Sequence, residues 1–130
     1  MRRVVGIALS VLAVAAAAGC DRKPDSAATM DLAPKEVPAE LAEGERLFNA
    51  SCAGCHGERA LGTDHGPPLV HPYYEPNHHG DIAFQRAVTL GVVPHHWRFG
   101  PMPKINGVSD ADVKAITAYV RWLQREAGID

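Results

Sequence analysis

An all-α domain with long, proline-rich loops is what the sequence predicts, on three observations. Apolar residues recur at helical spacing in three segments, no alternating strand pattern of any length occurs, and Pro67, Pro68, Pro72, Pro76, Pro94, Pro101 and Pro103 break the chain between them. The first segment, 40–50, carries Leu41, Leu47 and Phe48 among good helix formers and delivers the chain to Cys52. The second begins near Asp81, read as its N-cap, runs through Ile82, Phe84, Ala87 and Val88, and stops at Gly91. The third is the clearest: Ser109 followed three residues later by Asp112 imitates a capping box. Val113, Ile116, Val120 and Leu123 then mark one helical face as far as Gly128.

Upstream of these helices the composition changes. Arg2 and Arg3 precede an apolar, alanine-rich run from Val4 to Ala18, shorter than the roughly 20 residues a transmembrane helix needs. Residues 1–19 are therefore read as an export signal. Cleavage before Cys20 would leave an N-terminal cysteine and resembles the lipobox of bacterial lipoproteins, with Ala17 in place of the preferred leucine. Lipid on Cys20 would hold the chain at the periplasmic side of a bacterial membrane; cleavage after a nearby alanine would release a soluble periplasmic form. Residues 20–40 contain Pro24, Pro34 and Pro38 and few large apolar side chains, as a flexible tether would. The folded domain is expected over 41–130. A formal net charge of −2, more negative once Arg2 and Arg3 are gone, makes nucleic acid an improbable partner.

The chemistry is concentrated in Cys52-Ala53-Gly54-Cys55-His56. Two thiols three residues apart, followed at once by an imidazole, have the spacing of a c-type haem attachment site. The thiols would form thioethers to the porphyrin, and His56 would give one axial nitrogen to the iron. A zinc site would need a second cysteine pair or two suitably spaced histidines, and a thioredoxin-like dithiol would follow a strand. Neither context is present around Cys52. With Cys20 assigned to lipid and Cys52 and Cys55 to haem, no thiol is left over.

From Leu41 onward the chain resembles the class I c-type cytochromes, monohaem electron carriers of three to five helices. Gly44 and Phe48 match the small residue and aromatic with which that family's first helix crosses its last, and Tyr119, Val120 and Leu123 match the other side. Gly66-Pro67-Pro68-Leu69 resembles the family's Gly-Pro-x-Leu run, which implies that the Pro67 carbonyl accepts a hydrogen bond from His56. Met102, between Pro101 and Pro103 in a loop before the last helix, stands where the family carries its distal methionine. A neutral, soft thioether there raises the potential relative to a second imidazole. The resemblance implies one covalent haem c and single-electron transfer between redox-protein donors and acceptors at the membrane, with no small-molecule substrate. Two alternatives stay open: a cytochrome subunit of an oxidoreductase complex, or a haem or metal sensor with a labile sixth ligand.

Six further histidines, His65, His71, His78, His79, His95 and His96, lie between the attachment motif and Met102. One of them could replace Met102 on the iron. His71, His78, His79, His95 and His96 could instead tune the potential with pH or gather a second metal such as copper. In extended chain, neighbouring side chains point to opposite sides, so each adjacent pair is expected to give one ligand. Trp97 and Arg98 are read equally as donors to a haem propionate or as plain wall and surface residues.

Overall fold

The computed structural model describes residues 35–130. The signal segment, Cys20, Met30 and most of the tether lie outside the described residues. Four α-helices carry the fold: α1 (Ala42–Ser51), α2 (Ala53–His56), α3 (Asp81–Leu90) and α4 (Asp110–Glu126). Short 3-10 turns occupy Ala39–Leu41, Glu58–Ala60 and Pro72–Tyr74. No strand forms among the described residues; one isolated antiparallel bridge pairs Val92 with Met102. The domain is all-α, as the periodicity indicates, and no described helix is long and apolar enough to cross a membrane.

The first and last helices cross where Gly44 meets Ala115. A Cβ on Gly44 would collide with the Ala115 carbonyl oxygen and crowd the Tyr119 Cβ, so only glycine allows this approach. Phe48 and Tyr119 fill the crossing, both fully buried, with ring centroids 5.7 Å apart. Val120, Ile116 and Leu123 extend the core along α4, and Leu41, Leu47 and Leu69 pack against it. α4 begins with the expected cap: the Ser109 hydroxyl accepts from the Asp112 amide while the Asp112 carboxylate accepts from the Ser109 amide. The Ser109 hydroxyl also donates to the Asp112 carboxylate at 2.7 Å, and this bond first, then the one from the Ser109 amide, holds the Asp112 carboxyl below its usual range.

The structure corrects the reading of Asp81 as an N-cap. Asp81 is the first residue of α3, with Gly80 as its N-cap; the Asp81 carboxylate is engaged elsewhere and makes no cap hydrogen bond. It pairs at 2.8 Å with Nε of Arg121, a residue the periodicity passed over. Arg121 is 7 % exposed although charged, and it lies in the polar row Thr117, Arg121 and Gln124 on the buried side of α4. Its guanidinium donates to the carbonyls of Tyr74 and His79 and to Gln124 Oε1, and stands over the Phe84 ring. Gln124 in turn donates to the carbonyls of Leu69 and Tyr74. A charge this buried persists because every face of it is paired. α4 thereby ties down both the 69–79 loop and the start of α3.

Gly44→Ala separates two opposed effects. Alanine gains up to about 1 kcal/mol in helix propensity, whereas forcing atoms into a packed crossing costs roughly 1–3 kcal/mol. With backbone as the colliding partner, the clash dominates, and a lower urea midpoint for the holoprotein is expected. Gly54→Ala, whose Cβ would meet no atom within 4 Å, is the matched control and should cause no such loss.

Candidate functional site

α1 runs directly into the attachment motif. The Cys52 amide still bonds the Phe48 carbonyl, and α2 then turns so that Cys55 and His56 both donate back to the Cys52 carbonyl, at 3.1 and 2.9 Å. One helical turn places positions i, i+3 and i+4 on the same face. Cys52, Cys55 and His56 therefore line one cavity of about 490 Å³, within the roughly 300–1,000 Å³ usual for cofactor sites. Both thiols are free of disulfides, Cys55 exposed and Cys52 half-buried. Burial, and secondarily Cys55, pushes the Cys52 thiol up to about 11. A reactive dithiol depends on the opposite shift, toward thiolate. An uncharged thioether suits this position.

The loop after α2 folds back to aim His56. Leu69 and Val70 both donate to the Ala60 carbonyl, and the Thr63 hydroxyl donates to the Cys55 carbonyl at 2.6 Å. Pro67 is thereby brought beside the imidazole, and its carbonyl stands 2.8 Å from His56 Nδ1. A carbonyl can only accept, so Nδ1 carries the proton and Nε2 is left as the free base. Burial lowers the His56 pKa more than the Pro67 hydrogen bond raises it, which keeps the ring neutral and able to donate to a metal.

Met102 lines the same cavity. Its amide donates to the Val92 carbonyl at 3.0 Å and its carbonyl accepts from the Val92 amide at 2.9 Å, so the residue is pinned to the chain leaving α3. Gly91, at φ +77°, starts that chain where a Cβ would strike the Met102 carbonyl. Phe84, Val88 and Ile105 supply apolar wall, and Trp97 lines the cavity as well. The Trp97 indole nitrogen is buried with no hydrogen-bond partner among the described residues. Arg98 is exposed and outside the lining, while Arg86, unremarked in the sequence, is part of it.

The histidines divide. His65 is exposed beside Asp64, and His71 accepts from the Tyr73 amide as cap of the Pro72–Tyr74 turn while packing edge-on to Trp97. His78, His79, His95 and His96 converge at the cavity wall. The expectation of one ligand from each adjacent pair fits His95 and His96, of which His96 alone joins the group, but not His78 and His79, which sit in a turn rather than an extended segment and both present ring nitrogens toward His96. Burial first, then the neighbouring imidazoles, lowers the pKa of His96; for His79 burial leads and its neighbours add to it.

These residues fit one covalently held macrocycle: two thiols on one helical face, an oriented imidazole, a methionine on the same lining, apolar walls and an indole N–H without a partner. The cytochrome c family model matches residues 41–124. The chain belongs to the cytochrome c family. It is 30% identical over 122 residues to the cytochrome bc1 complex cytochrome c subunit of Mycobacterium tuberculosis and of Mycobacterium bovis, covering 92% of this chain and 41% of theirs. The chain thus spans about two fifths of the length of those relatives. It is 31% identical over 90 residues to cytochrome c-554(547) of Halothiobacillus neapolitanus, covering 65% of this chain and 98% of that protein. No solved structure matches. As a member of this family the cytochrome binds covalent haem c and is a haem electron carrier.

Proposed function

We propose that this cytochrome carries single electrons between respiratory redox partners at the periplasmic face of a bacterial membrane, held there by lipid on Cys20. Cys52 and Cys55 would form the thioethers, and His56 and Met102 would be the axial ligands. The observation that supports this best is the cavity itself, which His56 lines with its tautomer set by Pro67 and which Met102 lines from a backbone-paired loop. Bound haem supplies a one-electron change between ferrous and ferric iron. The chain's part is to hold both axial donors, to exclude water with Phe84, Val88 and Ile105, and to offer the Trp97 N–H to an anionic group at the cavity rim. Exposure of Cys55 leaves an edge of the site open to a docking partner. Weak, transient encounters of small area suit rapid turnover of such partners. A lipid anchor raises the effective concentration near membrane-bound ones.

A second reading is favoured by the likeness to the mycobacterial bc1 subunits over 92% of the chain: the cytochrome would then be a fixed subunit of a larger redox complex. Co-purification of a defined complex from detergent extracts supports that reading, and recovery of the single chain supports the free carrier.

Replacement of Met102 by alanine should change the absorption and magnetic circular dichroism of the ferric protein, with loss of the thioether-to-iron signature. An unchanged spectrum refutes methionine ligation. For the anchor, Cys20→Ala should move the holoprotein from the membrane to the soluble periplasmic fraction, with haem content unaltered; a distribution identical to the parent's would count against lipidation.

A further inference from the structure

The four converging histidines come from two separate loops, His78 and His79 ahead of α3 and His95 and His96 behind it. Nε2 of His78 stands 3.2 Å from Nε2 of His96, and Nε2 of His79 stands 3.3 Å from Nε2 of His95. One nitrogen from each of His78, His79 and His96 lies within 4.8 Å of the other two. Two nitrogens bound at roughly 2.0–2.1 Å to a tetrahedral zinc ion stand about 3.3–3.4 Å apart. Each of these two pairs is thus already spaced as two ligands of an ion.

Backbone contacts fix two of the tautomers. His79 Nδ1 lies 2.6 Å from the Tyr73 carbonyl and His95 Nδ1 lies 3.2 Å from the Val93 carbonyl. Since a carbonyl only accepts, each Nδ1 holds the proton of its neutral ring, and the facing Nε2 atoms are both lone pairs. Two acceptors face each other with no hydrogen between them. Only a cation, a shared proton or a metal ion, makes that contact favourable. An imidazole whose other N–H is tied to a backbone carbonyl is the form that metal-binding histidines adopt. The scaffold is also held: Arg121 donates to the His79 carbonyl from α4, and the His96 ring stacks on Tyr73 with centroids 4.7 Å apart.

We propose that His78, His79 and His96 bind one divalent transition-metal ion of the zinc or copper type, with His95 at the remaining position. A set of neutral imidazoles suits these ions and not calcium or magnesium, which take oxygen. The site is separate from the two axial donors and would put a second cation on the wall of the haem cavity.

The test is calorimetric titration of the purified holoprotein with Zn²⁺ and with Cu²⁺, together with electron paramagnetic resonance of the copper-loaded protein. One ion per chain is expected, with nitrogen hyperfine coupling from imidazoles. The double variant His78→Ala, His96→Ala should lose more affinity than the roughly 10–100-fold that removal of an outer hydrogen bond costs, while His65→Ala binds as the parent does. An unaltered haem spectrum in the double variant shows that its cavity is intact. Less than one ion per chain overturns the proposal, as does equal affinity in parent and double variant, and the imidazoles then merely share a proton. Copper resonance without imidazole coupling in the unsubstituted protein overturns it whether or not the variant folds.

Discussion

The structure depends on the close approach of α1 and α4 at Gly44. Without a side chain at that position the Ala115 carbonyl lies against the α1 backbone, and Phe48 and Tyr119 interlock beside it. The same α1 ends at Cys52, so the crossing sets where the attachment motif begins and which way its helical face points. A domain this small has little core to spare, and its buried cluster is built on this crossing. The functional side chains hang from it at measured distances in sequence: the thiols at once, Pro67 after one loop, Met102 after α3.

α4 serves the site from its other side. Its apolar face packs the crossing, while Arg121 and Gln124 reach the carbonyls of Leu69, Tyr74 and His79. Loops without secondary structure leave carbonyls in need of donors, and here two buried side chains supply them. The arrangement couples the loop that carries Pro67 and Leu69 to the turn that carries His78 and His79 through one helix. The cavity walls are therefore fixed by polar contacts to α4 as much as by apolar packing.

Much of this was legible in the residues. The attachment motif announced its own geometry, because positions i, i+3 and i+4 of any helical turn share a face. The capping box at Ser109 and Asp112 formed as read, since it needs only local backbone. Three features were not legible. Asp81 looked like a cap because it precedes an apolar run, but a carboxylate within reach of Arg121 from a distant helix is drawn to the stronger partner. Arg121 itself was hidden by its charge, although its place in the row Thr117, Arg121 and Gln124, all buried, was the available signal. The extended-chain rule for neighbouring side chains is suspended by the turn at His78 and His79. Convergence of segments sixteen or more residues apart is tertiary information, which no local pattern contains.

If His56 and Met102 hold both axial positions of the iron, as proposed, the protein passes electrons and binds no substrate there. Exposure of the ferrous holoprotein to carbon monoxide at neutral pH tests this most directly. An absorption spectrum unmoved by the gas is the predicted result. Stoichiometric carbon monoxide binding by the native, folded protein would contradict a closed electron carrier and establish a labile sixth position.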